Sequence, residues 1–373
     1  MSPVKLHNDT QNHYAWRQMV LQWHITERCN WRCLHCYQEH YSDDELDFEN
    51  LLDIKEQFVT LLDLMNQIKS PLKVSGHINI SGGEPFIRQD FMDLLGVFKE
   101  DKGKYSFGIL TNGSFIDSTV AKRLKQVGPA FVQVSMEGGA ITNDKIRGSG
   151  ATTKTISAIK NLKQEGIPSV ISFTAHRGNF LEFPAVAGLG RDLGVAQVWS
   201  DRLIPEGSGA GLSEQLLSPD ETKRFFELMY AVRKESLKSF CRTEISMHRA
   251  LQFLVGGGRP YRCAAGNYLV TVLPNGDVYP CRRMPIHVGN LQETPLVELY
   301  TSSEVFRALR NKDNISDECK DCIYWQKCRG GLRCLSYALT GNPFNADPGC
   351  WMKNSRPPRN GEKKRFPFDY HLA

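Results

Sequence analysis

Six short apolar runs, at residues 20–26, 77–81, 105–110, 131–136, 169–174 and 197–200, alternate with longer stretches that keep a helical period. The first such stretch, 47–68, places Leu51, Ile54, Phe58, Leu61, Leu62 and Met65 on one face. Further helices are predicted over 91–99, 117–127, 153–164 and 180–193. A strand bounded by short turns, then a helix, repeated six times, dictates a parallel sheet covered by helices. Such a sheet collects its chemistry at the carboxyl ends of the strands. Periodicity alone leaves two architectures open, a barrel and an open doubly wound sheet.

The unusual motifs fall just after strands. Run one leads into Ile25-Thr26-Glu27-Arg28-Cys29, and Cys29, Cys33 and Cys36 follow with three and then two residues between them. Three thiolates on one loop cannot saturate an iron–sulfur cube, which has four iron corners. The fourth corner stays open for a ligand that is not protein. The competing reading is a closed Cys3His zinc site completed by His35 or His24, although zinc ligands usually come as two separated pairs. Run two ends in Gly82-Gly83-Glu84-Pro85. Its glycines allow close backbone approach, and its glutamate suits an ammonium. Run three ends in Thr111-Asn112-Gly113, run four in Ser135 and Glu137-Gly138-Gly139, with Arg147 in the loop beyond.

The cysteine spacing resembles the signature of radical S-adenosylmethionine (radical SAM) enzymes. The resemblance implies an α/β fold, a partial (β/α)6 TIM-like barrel, with a [4Fe-4S] cluster on Cys29, Cys33 and Cys36. In that family SAM chelates the open iron and is cleaved to a 5′-deoxyadenosyl radical, so the cofactor supplies the chemistry and the protein aims it. His35 takes the position usually held by an aromatic residue. Gly83 and Glu84 match the family's contact to the SAM amino group. Ser135 and Arg147 match contacts to its carboxylate and ribose, and an arginine suits a carboxylate by bidentate bonding. Asn112 is a further SAM-contact candidate.

A second cysteine group follows Gly256-Gly257-Gly258. Twelve residues separate Cys263 from Gly276 and four separate Gly276 from Cys281, and Cys319, Cys322, Cys328, Cys334 and Cys350 come after. The pattern resembles the SPASM-type extension of peptide-modifying radical SAM enzymes, which holds two auxiliary iron–sulfur clusters. It departs from that pattern in having five residues, rather than three, between Cys328 and Cys334. By the family's crossing arrangement, Cys319, Cys322, Cys328 and Cys350 hold the outer cluster. Cys263, Cys281 and Cys334 hold the inner one and leave it an open or non-cysteine site. The bland alternative is a pair of zinc ribbons. Of the eleven cysteines, Cys241 is left over. It is either a structural thiol or a hydrogen donor to a substrate radical.

The expected organisation is an N-terminal extension over 1–19, the barrel over 20–204, a helical linker over 205–258, the auxiliary domain over 259–352 and a basic tail over 353–373. So short an N-terminal segment carries no leader-peptide-binding domain in this reading. Net charge is +5 with both signs mixed, which gives no basis for nucleic-acid binding. No apolar run reaches membrane length, and the start lacks an apolar signal core, so a cytoplasmic protein is expected. Eleven cysteines in a reducing compartment point to metal rather than disulfides. The implied function is maturation of a ribosomally synthesised peptide (RiPP), giving a cross-link, thioether or epimer, with flavodoxin or ferredoxin as electron donor. The alternatives are a protein maturase of sulfatase or quinone-cofactor type, tailoring of a small molecule such as a tetrapyrrole, and a non-catalytic electron carrier.

Overall fold

The computed structural model describes residues 18–68, 73–101, 103–239 and 241–352. The basic tail expected over 353–373, and all but the last two residues of the expected N-terminal extension, lie outside the described residues.

The chain runs β1 (Gln18–His24), α1 (Phe48–Ile68), β2 (Ser75–Ser81), α2 (Phe91–Glu100), β3 (Tyr105–Thr111), α3 (Ser118–Val127) and β4 (Phe131–Ser135). It continues through α4 (Ala140–Arg147), α5 (Ala151–Gln164), β5 (Ser169–Ala175), α6 (Phe183–Leu193), β6 (Gln197–Arg202), α7 (Pro219–Lys238) and β7 (Glu244–Ile245). Strands β1 to β7 are parallel neighbours in sequence order. Beyond β1 lie β8 (Leu269–Val272), parallel to it, then antiparallel β9 (Asp277–Tyr279) and β10 (Gly289–Asn290). The order β10-β9-β8-β1-β2-β3-β4-β5-β6-β7 ends in two edges, so the sheet is an open, partial barrel. That matches the architecture the sequence resemblance implies.

Strand alternation explains which face is core. In β1, Met19, Leu21 and Trp23 are completely buried and join Phe58 and Phe98 of α1 and α2. The alternate residues turn to the other face, as a pleat of period two requires. That inner row is largely polar. It carries His24 on β1, Gln133 and Ser135 on β4, Ser172 on β5, and Trp199 and Asp201 on β6. Parallel strands covered on both faces are normally apolar throughout. A largely polar inner row, with Val20, Leu110, Phe131 and Val170 as its apolar members, therefore marks this face as distinct from the core.

Two segments differ from expectation. The stretch 205–258, expected as a helical linker, builds another βα unit. A capping box between Ser218 and Glu221, with Pro219 at the first helical position, starts α7. Phe225 then packs on Phe183 and Phe173 at 5.8 and 6.3 Å between ring centres, and β7 pairs with β6. Arg147, expected in a loop, is the last residue of α4. The cysteine-rich end is likewise continuous with the barrel, because β8 to β10 extend the same sheet.

Candidate active site

The loop after β1 carries three thiols and is tied down by its backbone. Leu34 N–H donates to Ile146 O at 2.9 Å, Gly209 N–H to Cys36 O at 2.8 Å, and Cys36 N–H to Cys33 O at 3.1 Å. Every sulfur also has an N–H donor. Trp31 N–H lies 3.4 Å from Cys29 Sγ, Gln38 N–H 3.4 Å from Cys36 Sγ, and Arg147 Nη1 3.7 Å from Cys33 Sγ. Donors to sulfur favour thiolate over thiol. Burial acts in the opposite sense, raising Cys33 and pushing the Cys29 thiol up to about 11. Metal loading here must therefore release protons.

The glycine-rich turn after β2 packs directly on this loop. Gly83 N–H donates to Thr26 O at 2.7 Å and Glu84 N–H to Arg28 O at 2.9 Å. A Cβ on Gly83 would run into the carbonyl oxygens of Arg28 and Glu27, so only glycine fits. Glu84 is completely buried. Its carboxylate accepts from Thr111 Oγ1 at 2.8 and 2.9 Å, Asn112 N–H at 2.8 Å and Phe86 N–H at 3.3 Å. All these donors are uncharged. Burial outweighs them and pushes the carboxyl up to about 7, which is the state a nearby cation would relieve. Asn112 also reaches Asn30 Oδ1 at 2.9 Å from its Nδ2, joining the TNG turn to the cysteine loop.

On the opposite flank sits a group the sequence left unread. Glu137, one residue past the expected strand, is 1 % exposed. Its Oε1 meets Arg147 Nη2 at 2.5 Å and His35 Nε2 at 3.1 Å, and its Oε2 accepts Thr174 N–H at 2.6 Å. Burial would raise this carboxyl, but the charges of His35 and Arg147 outweigh it and hold it at about 2. Arg147 Nε, His35 Nδ1 and His176 Nε2 are buried without an acceptor or donor. Ser135 Oγ pairs with Ser172 Oγ at 3.1 Å on the inner face of the sheet. The structure thus gathers Cys29, Cys33, Cys36, His35, Gly83, Glu84, Asn112 and Arg147, adding Glu137.

The auxiliary cysteines fall into two groups. Cys319, Cys322, Cys328 and Cys350 line one small cavity with Asp347. Cys334 is buried in a cluster that Cys263 and Cys281 pack against, and the three thiols feel one another electrostatically. Burial followed by the Asp347 charge pushes the Cys328 thiol up to about 12. Among the described residues no three His, Cys, Asp or Glu side chains converge at the spacing of one metal ion, and none of the eleven cysteines forms a disulfide. Between Cys36 and Cys281 lie Tyr37 and Arg282, with the guanidinium 5.3 Å from the ring centre. His24 stands against the same ring, its Nε2 unpartnered. Burial and Arg282 keep His24 neutral, lowered to about 3.

Cys241 is not part of this assembly. It lies three residues before β7, whose first residue pairs with Gln197 at the start of β6. That is the amino end of the sheet, away from the thiol loop at the carboxyl end of β1. The radical-quenching role weighed for Cys241 has no support in this arrangement.

Three comparisons agree with this geometry. Residues 23–185 match the family model of the Radical SAM superfamily, and residues 263–323 match that of the SPASM iron-sulfur cluster-binding domain. Fe-coproporphyrin III synthase of Methanosarcina barkeri is 29 % identical, over 90 % of this chain and 88 % of its own length. PqqA peptide cyclase of Gluconobacter oxydans is 28 % identical, over 89 % and 90 %. In three dimensions, Streptococcus suis SuiB bound to S-adenosylmethionine superposes with a TM-score of 0.70, covering 90 % of this chain and 77 % of SuiB at 15 % identity. The chain thus carries a radical SAM domain over residues 23–185 and an SPASM iron–sulfur cluster-binding domain over residues 263–323.

Proposed function

We propose that this enzyme abstracts hydrogen from a residue of a ribosomally made peptide and so installs a cross-link, thioether or epimer. The observation that carries the proposal is the closeness of two thiol groups, the Cys29–Cys33–Cys36 loop and the inner Cys263–Cys281–Cys334 set, with Tyr37 within electrostatic reach of both Cys36 and Cys281. With its cluster and SAM bound, the family's cofactor supplies a 5′-deoxyadenosyl radical as hydrogen abstractor. The three loop thiols would hold that cluster and leave one iron for SAM.

The surrounding residues fit SAM from two sides. Glu84, buried among uncharged donors, would take the ammonium charge, while Gly83 keeps the turn close to the thiol loop. Arg147 Nε and His35 Nδ1, both lacking partners, would receive carboxylate or hydroxyl oxygens, and Ser135 stands on the inner face of the sheet. Glu137 fixes Arg147 and His35 in place. In the auxiliary domain, Cys319, Cys322, Cys328 and Cys350 would hold an outer cluster, and Cys263, Cys281 and Cys334 an inner one with a site free of cysteine. Electrons would come from a flavodoxin- or ferredoxin-type donor. The setting of this chemistry is cytoplasmic in this reading. Support for a peptide comes from PqqA peptide cyclase among the relatives and from SuiB, whose structure is also known with its precursor peptide SuiA.

A second reading, tailoring of a tetrapyrrole, draws on the equally similar Fe-coproporphyrin III synthase. Arg282, which has no acidic partner within the described ion pairs, would suit a propionate as readily as an acidic side chain. One experiment separates the two. Reconstituted, reduced enzyme is incubated anaerobically with SAM and either the peptide encoded beside the gene or a carboxylate-bearing iron porphyrin from a panel that is not restricted to iron-coproporphyrin III. The peptide reading expects a mass change in the peptide, with 5′-deoxyadenosine formed in proportion. Conversion of the porphyrin with the peptide untouched would overturn it.

A further inference from the structure

Two ion pairs, one buried and one partly buried, lie end to end between the inner and outer thiol groups. Arg202, the last residue of β6, meets Asp347 through two contacts, Nη1 to Oδ1 at 2.8 Å and Nη2 to Oδ2 at 2.6 Å. Their side chains are only 3 % and 1 % exposed. The carboxylate end faces the outer group, because Asp347 lines the cavity walled by Cys319, Cys322, Cys328 and Cys350. Packing fixes this orientation. A Cβ on Gly331 would strike Asp347, and one on Gly349 would strike Arg202. Leu332 and Gly349 N–H groups occupy the remaining capacity of the carboxylate at 2.9 Å each.

The guanidinium end faces the inner group, where Arg202 lies within electrostatic reach of Cys334. The second pair continues in the same direction. Asp201 Oδ2 accepts from Arg283 Nη1 at 2.6 Å, and Arg283 stands two residues after Cys281, within reach of both Cys281 and Cys334. Arg333, 3 % exposed and adjacent to Cys334, adds a cation near Cys263. Three arginines and one carboxylate, Asp201, thus act on the inner thiols, so cations are in excess there, while the leading charge on the outer thiol Cys328 is the Asp347 carboxylate.

We infer that this arrangement makes the inner iron–sulfur group more easily reduced than the outer one. Reduction adds negative charge, which nearby cations favour and a nearby carboxylate opposes. Such interactions are strong where water is excluded. Net charge and local contacts are among the determinants of cluster potential. Three thiolates instead of four lower the inner group's own negative charge and act in the same direction. Arg202, Arg283, Arg333 and Asp347 are positioning residues in this sense, since they act through the groups that the cysteines hold.

The inference rests on the ligand grouping proposed above and is independent of the substrate. The test is a potentiometric titration of reconstituted enzyme, followed by electron paramagnetic resonance, in a background where Cys29, Cys33 and Cys36 are alanine. Two reduction steps are expected, and Cys281→Ala should remove the higher one. Arg283→Gln should shift the higher step to lower potential and leave the lower step in place, while Arg283→Lys should restore it. Asp347→Asn should raise the lower step most. If either variant loses iron, Arg333→Gln is read instead, with the same expectation as Arg283→Gln. Loss of the lower step in Cys281→Ala would overturn the ordering. So would unshifted steps in Arg283→Gln and Arg333→Gln at full iron content. Wild-type protein that binds iron only at the Cys29 loop would instead overturn the ligand grouping.

Discussion

Glu137 Oε1 lies 2.5 Å from Arg147 Nη2, and the same guanidinium donates through Nη1 to the Cys33 sulfur at 3.7 Å. One buried acid thereby orients a cation that touches the thiol loop. Breaking a buried pair from one side strands the other charge, at about 3–5 kcal/mol. Glu137→Gln should therefore weaken SAM binding by about 10–100-fold, the usual effect of losing an outer-shell partner, while iron at the three thiols is retained. Anaerobic calorimetry with SAM, read beside iron content, checks both halves. The Glu137 carboxyl is held low, so its ionised form stabilises the fold above the ordinary carboxyl range. That contribution is lost only as pH falls toward about 2. Neutral and mildly acidic buffers should leave it intact.

Glu84 presents the complementary case, a buried carboxylate served only by uncharged donors. Replacing it with glutamine keeps the size but removes the charge that would face the ammonium of SAM. Glu84→Gln should lower SAM affinity by about 1–3 kcal/mol, the range for stranding one partner of a charged hydrogen bond. Gly83→Ala should act differently. Its Cβ would push on the carbonyls of Glu27 and Arg28 and displace the residues just before Cys29. Iron occupancy at the loop should fall, measured by colorimetric iron assay and the cluster's visible absorbance, with SAM binding lost in consequence.

Much of this site was legible from spacing because its parts are local. Cys29, Cys33 and Cys36 share one loop, and Gly83-Glu84 shares one turn. Strands β1 to β6 were legible too, since each alternates or runs apolar for several residues. What escaped the sequence was non-local or weakly patterned. Helix α4 carries few apolar residues, and its Ile141 is 89 % exposed, so no helical face marks it. Strand β7 has two residues, too few for any period, which is why 205–258 reads as a linker. Glu137 gains its meaning from His35 on a different loop. Arg202 and Asp347 stand 145 residues apart, a pairing that no local pattern announces. Cys241 was countable as the eleventh thiol, but only the register of β7 on β6 shows that it lies at the wrong end of the sheet.

The two auxiliary groups should fail separately. Cys334 is buried with Cys263 and Cys281, whereas Cys319, Cys322, Cys328 and Cys350 share another cavity. Alanine at Cys334 should remove the spectroscopic signature of the inner group and spare the outer, and alanine at Cys350 should do the reverse. Cys241→Ala should retain full iron content and full SAM cleavage, as its position before β7 requires. Mössbauer quantitation of each variant distinguishes these outcomes from a general loss of folding.

His77 gives the fold a pH dependence of its own, remote from the thiols. It sits near the start of β2, stacked on Phe131 at 5.6 Å between ring centres, with Ser106 Oγ at 2.7 Å from Nδ1 and Asn79 Oδ1 at 3.1 Å from Nε2. A neutral ring satisfies both contacts by accepting from the serine hydroxyl and donating to the amide oxygen. Burial, only partly offset by Asn79, lowers its pKa to about 4 from an ordinary 6.5. Between those values the unfolded chain binds the proton and the folded one does not, so stability rises with pH across the window. Stability is then full above about 6.5 and falls as pH drops toward 4, by on the order of 3 kcal/mol at one unit per 1.4 kcal/mol. Urea unfolding of wild type and His77→Gln at several pH values between 4 and 7 measures this directly. The variant should lose much of the slope in that interval, and an unchanged slope would show that another group carries it.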